Sequence, residues 1–251
     1  MKTKTDFSNI FSTNSSWILR IFLVGCLAMT SCNKDRDDDS QTVTTDDAAE
    51  IVTGAVSSES YGLVSTIDDA STTAAAKGVY TDTPSISCGE TYSNNLAAAQ
   101  SNNYFSYNYN INGSYLLGCS NLGIPQSLNY THSMTGSYST ARIASDDSAN
   151  GNMLITGISP QSQNITINGN YLRKGSETFK IKSKNVESSI NMTISNLSVN
   201  KTSLVIASGT GTLSIEAKSN SKEYSFTGTI IFNGDKTATL VINGISYIID
   251  L

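Results

Sequence analysis

The sequence predicts a mainly β protein. Its core is an antiparallel meander of about 10–12 strands, rolled into a partial barrel or packed as a sandwich, after an amphipathic helical segment. Three observations carry this. From Gly78 to the C-terminus, apolar residues alternate with polar ones, which is the period of a half-buried strand. The alternating runs are short and joined by turn-forming pairs such as Asn233-Gly234, so neighbouring strands run antiparallel. Before them, apolar residues recur at helical spacing between Ala48 and Val56. Composition sets the outer limits. Charged residues are 15% and hydrophobic residues 38% of 251, while 39 Ser, 28 Thr and 24 Asn supply the polarity. One His cannot build a multi-histidine metal site, and no cofactor signature accompanies it. A net charge of −5 leaves little with which to neutralise phosphates, which excludes a nucleic-acid partner.

The first element is residues 1–31. Lys2 and Lys4 precede an apolar stretch in residues 17–31, WILRIFLVGCLAMTS, whose uninterrupted core spans residues 21–29. A bilayer needs about 20 apolar residues, so this reads as an export signal. The box Met29-Thr30-Ser31-Cys32 closes it. That box resembles the bacterial lipoprotein signal, which implies cleavage and acylation at Cys32. Met at its first position, where Leu is expected, departs from the pattern. Leu23-Val24-Gly25-Cys26 matches the box better, but it leaves a shorter core interrupted by Arg20 and an apolar mature tail. Residues 33–39, NKDRDDD, resemble the acidic tether of Bacteroidetes lipoproteins. The resemblance covers about 40 residues and implies a chain anchored by lipid to the outer membrane of the cell envelope, with surface display as one orientation. Losing the signal takes the net charge from −5 to −7. Residues 32–44 are read as a flexible tether.

Residues 45–76 are the helical segment. Thr45, Asp46 and Asp47 suit a helix start, by capping and by charge. Ala48, Ile51, Val52, Ala55 and Val56 form one face. Leu63, Val64 and Ile67 predict a second short helix over about 61–74.

Residues 77–251 are the β domain. Tyr107, Tyr109 and Ile111 alternate up to Asn112-Gly113, read as a hairpin turn. Leu128, Tyr130, His132 and Met134 share a face, as do Ile165, Ile167, Gly169 and Tyr171. Phe179 and Ile181 alternate with Lys180, Lys182 and Lys184, giving an apolar face and a lysine face. Ile190, Met192 and Ile194 continue, and a parity switch to Leu197 and Val199 predicts a bulge. Leu204 and Ile206 precede a Gly-rich stretch, then Leu213 and Ile215. Tyr224 to Phe232 alternate up to a turn at residues 233–236. Residues 237–243 and 245–251 are apolar on both parities, which predicts cover on both faces.

Cys88 and Cys119, an even pair in an exported chain, predict a disulfide. Asp146-Asp147-Ser148-Ala149-Asn150-Gly151 resembles half of a calcium loop without its closing Glu and is read as a polar hairpin loop. Asp147-Ser148-Ala149 also resembles a Bacteroidetes O-glycosylation triplet. His132 lacks a nucleophile elbow, and the acid pairs sit in polar surroundings, so no catalytic residue is assigned. The distinctive feature is tyrosine interleaved with Asn and Ser. Tyr104, Tyr107, Tyr109, Tyr115, Tyr130 and His132 are the candidate ligand contacts. The expected function is non-catalytic binding of a glycan, a protein or a hydrophobic ligand. For the last, the outline resembles periplasmic lipoprotein carriers and implies an apolar cavity above about 300 Å³. A structural or adhesive surface protein is the second class and a hydrolase the third.

Overall fold

The computed structural model describes residues 41–251; the signal segment, Cys32 and the acidic run lie outside the described residues. The chain begins with helix α1 (Thr45–Val56), a 3-10 turn at Ser58–Ser60 and helix α2 (Leu63–Ala76). Ten strands follow: β1 (Thr91–Ser101), β2 (Phe105–Cys119), β3 (Pro125–Thr140), β4 (Ile143–Thr156), β5 (Asn164–Phe179), β6 (Lys184–Asn200), β7 (Ile206–Ser219), β8 (Lys222–Phe232), β9 (Thr237–Ile242) and β10 (Ile245–Asp250). They form one antiparallel sheet in sequence order, with β1 and β10 at its edges and unpaired beyond it among the described residues, so the sheet is not closed into a barrel.

The residue pattern explains the architecture. β6 has 17 residues, a length of roughly 55 Å at about 3.3 Å per residue. Strands this long twist, and ten of them side by side curl. The inner face carries Ile111, Leu128, Met153, Ile167, Ile190, Ile215, Ile230 and Leu240, all buried. Helix α1 lies against this face and is buried on nearly every side: Ala48, Ala49, Ile51, Val52, Gly54, Ala55 and Val56. Helices and strands share one hydrophobic core. Thr44 caps α1 in a capping box with Asp47, which stabilises its first turn.

Several expectations change. Val43 is buried and the Thr42 carbonyl accepts a bond from Lys184 Nζ at 2.8 Å, so residues 41–44 are packed and are not tether. Asn112-Gly113 is no turn but the middle of β2, paired to both β1 and β3. Gly stands there because a Cβ would press on the Asn94 side chain and both the Tyr115 and Tyr130 rings. Asp146 to Gly151 lies within β4, not in a loop. The Gly-rich stretch at residues 208–211 runs inside β7 without breaking it. Residues 180–183 form the β5–β6 turn, which resets parity. Ile181 is therefore exposed and Lys184 buried, opposite to the two-faced strand expected. In β10, Ile245 and Ile248 are exposed, so only one face of that strand is covered.

Other elements stand where the period placed them. The parity switch in β6 is a register shift between Ser195 and Ser198. Asn196 takes a positive φ there, and its N–H donates to Asn168 Oδ1 at 2.8 Å, beside a matching irregularity in β5. Asn243-Gly244 turns β9 into β10 with both residues at positive φ, as a type I′ hairpin requires. Cys88 and Cys119 are disulfide-bonded, Cα–Cα 5.7 Å, tying the entry to β1 to the end of β2.

Candidate functional site

A meander sends alternate turns to opposite ends. The β1–β2, β3–β4, β5–β6, β7–β8 and β9–β10 turns share one end of the sheet, the end that α1 crosses. Polar contacts fix the helix there. Asp47, fully buried, receives Lys182 Nζ at 2.7 Å and also Lys184 Nζ. Burial alone would raise its carboxyl, but those two lysines and Thr44 hold it down to about 2. One turn on, Arg142 in the β3–β4 turn donates to Glu50 through Nε at 2.9 Å and Nη2 at 3.0 Å. Past the helix, Arg173 Nη2 donates to the Ser60 carbonyl at 3.0 Å.

Beside α1 the sheet leaves a cleft of about 540 Å³. One wall is the α1 face with Asp46, Glu50 and Thr53; the other walls are the β3–β4 turn with Arg142, the β1–β2 turn with Tyr104, and β10 with Tyr247 and Ile248. Tyr104 is 80% exposed. The Tyr247 hydroxyl donates to Asp46 Oδ1 at 2.7 Å. Desolvation and that bond push it up to about 12, so it stays neutral at physiological pH. The cleft thus offers an exposed ring, a second ring with an oriented hydroxyl, and a guanidinium–carboxylate pair with lone pairs and N–H groups to spare. Glu50 and Asp46 both already accept hydrogen bonds, Glu50 from a guanidinium.

The tyrosine candidates divide. Tyr104 lines the cleft. Tyr107 is half-buried, with its ring 5.3 Å from Tyr61. Tyr109, Tyr115, Tyr130 and His132 are core residues, so they are withdrawn as ligand contacts. Their inward parity places them under the helices. Tyr115 stacks on Tyr130 at 4.8 Å, Tyr130 on His132 at 5.4 Å and His132 on Tyr171 at 5.8 Å, a row crossing β2, β3 and β5. Tyr109 donates to Asp147 Oδ1 at 2.9 Å and accepts from Arg173 Nη2 at 2.7 Å. Arg173 also bonds Asp147 Oδ2 at 2.8 Å, so this acid is a buried structural partner, not a calcium ligand. Ser148, the hydroxyl of the Asp147-Ser148-Ala149 triplet, is exposed, between the buried side chain of Asp147 and buried Ala149.

Asp46, Glu50, Arg142 and Tyr247 were not among the sequence candidates. No motif joins them, because 201 positions separate Asp46 from Tyr247. No cluster of three His, Cys, Asp or Glu among the described residues is placed to hold a metal. No described helix is long and apolar enough to cross a membrane. Comparison with protein-family profiles, with curated proteins and with solved structures returns no match.

Proposed function

We propose that this is a non-catalytic, lipid-anchored binding protein of the cell envelope, and that it takes a neutral, hydroxyl-rich ligand of the glycan class in the cleft beside α1. The observation that carries this is the pairing of Tyr104 and Tyr247 with Asp46, Glu50 and Arg142 around one cleft. Sugars stack their C–H faces on aromatic rings and bridge fixed donors and acceptors. The cleft is open and its polar groups are already oriented, so little ordering accompanies binding. An apolar ligand inside the sheet fits less well, because α1 and the inner-face side chains form a continuous core there.

The test is a neutral-oligosaccharide array, followed by calorimetry on the best hit. Tyr104→Ala is expected to weaken binding at least tenfold with an unchanged melting temperature, since the ring is 80% exposed. Equal binding by the parent and Tyr104→Ala, or no hit on the array, removes the reading.

A further inference from the structure

We propose that two copies of this chain pair edge to edge through β1, antiparallel about a two-fold axis at Leu96, joining their sheets into one.

Free sheet edges invite pairing, and monomers blunt them with charge, proline, bulges, short strands or cover. β10 is blunted: it has six residues, one of them Asp250, and Tyr247 ties it to α1. Among the described residues, β1 has none of these devices. Its 11 residues, TYSNNLAAAQS, include no charge, proline or glycine, and its pairing with β2 runs without a bulge from Thr91 to Ser101. Among the described residues its backbone pairs with β2 alone. It also buries little of its own chain; only Tyr92, Asn94 and Ala98 are even half-covered. Such a strand costs backbone entropy and returns little packing as a monomer edge.

The geometry selects the second copy as occupant. The turn bond from Asn102 N–H to the Phe105 carbonyl sets the alternation, so even-numbered residues of β1 bond β2. The outward groups then belong to Thr91, Ser93, Asn95, Ala97, Ala99 and Ser101. A two-fold axis at Leu96 sets Asn95 opposite Ala97 of the other copy, Ser93 opposite Ala99 and Thr91 opposite Ser101. This satisfies the outward groups on both chains with about a dozen backbone bonds. No like charges meet, because the strand holds none. Leu96 faces its own symmetry mate in a close, non-hydrogen-bonded pair. It is 37% exposed despite sharing the inner parity of Tyr92 and Ala98, and the pairing buries it. The contact is isologous and therefore closes at two copies.

The experiment uses the full chain, purified in mild detergent. Light scattering is expected to give twice the protomer mass. Leu96→Cys is expected to cross-link to itself on mild oxidation, whereas Ala99→Cys, held roughly 20 Å from its mate by six residues of stagger, is not. Ala97→Pro removes an outward donor without touching the β1–β2 ladder. It is expected to reduce the mass to that of one protomer with the far-ultraviolet circular dichroism unchanged. Protomer mass for the parent over a tenfold concentration range overturns the proposal. So does a dimer that survives Ala97→Pro, or equal cross-linking at the two cysteine positions. If Ala97→Pro loses its sheet signal, the cysteine comparison decides alone.

Discussion

His132 and Glu177 are both buried on the inner face, and they respond to pH in opposite directions. Burial pushes the Glu177 carboxyl from 4.5 up to about 7, against the Ser188 hydroxyl that donates to it. Between those values the folded chain keeps a proton that the unfolded chain has lost, so stability falls as pH rises. Burial pushes the His132 imidazole from 6.5 down to about 4. There the unfolded chain holds the extra proton, and stability falls as pH drops. The two effects oppose each other across the overlap of their windows. Each amounts to roughly 3 kcal/mol over its full range. Relative to the parent, Glu177→Gln is therefore expected to gain roughly 3 kcal/mol between pH 4.5 and 8, read by urea unfolding at a series of pH values. His132→Phe is expected to gain a similar amount on going from pH 7 to 4. A difference from the parent that stays constant with pH in either variant refutes that residue's assignment. Neither nitrogen of His132 has a protein partner among the described residues, so the phenyl ring forfeits no hydrogen bond.

At the scale of elements, the 3-10 turn between the helices is held by a buried ion pair. Arg173 spans from Asp147 to the Ser60 carbonyl. Removing it leaves a buried carboxylate uncompensated, which costs about 3–5 kcal/mol. Arg173→Met is expected to lose that much in urea unfolding, and Arg173→Met with Asp147→Leu to lose clearly less. Additive losses would show that the two do not act as a pair. The disulfide acts on another element. Replacing Cys88 and Cys119 together by Ser is expected to cost about 3–4 kcal/mol by the chain-entropy argument. Hydrogen-exchange protection should fall first at the entry to β1; uniform loss across the sheet would contradict that. Elements were legible in the sequence wherever one rule governed them. The alternation in β3, the parity switch in β6 and the break between strands 237–243 and 245–251 followed from the hydrophobic period. Asn112-Gly113 misled because the glycine there serves ring packing across strands, which a local reading does not see. Lys184 misled because its partner, Asp47, lies 137 positions away.

At the scale of the whole molecule, the sequence predicted an antiparallel meander, rolled into a partial barrel or packed as a sandwich, after a helical segment; the structure is one open ten-stranded sheet, with α1 against β6, β9 and β10. The cleft was not legible, since its walls come from a helix, the 3-10 turn after it, three strands and two hairpin turns. The tyrosine cluster pointed to a binding surface, yet burial spent Tyr109, Tyr115 and Tyr130 on the core and left Tyr104 exposed; the cleft's second ring, Tyr247, comes from the far end of the sheet's order. The position of α1 has a consequence for assembly. The helix leads the described chain, but its partners arrive late: Arg142 is 92 positions on, Lys184 142 positions beyond Thr42, and Tyr247 201 positions beyond Asp46. Contacts that distant make folding slow, because loop closure precedes reward. A nascent chain therefore carries the part of α1 that packs on β9 and β10 uncovered until its final hairpin is made. Ribosome-stalled chains ending before β9 should stay sensitive to protease throughout, and resistance should appear in one step once β10 is complete.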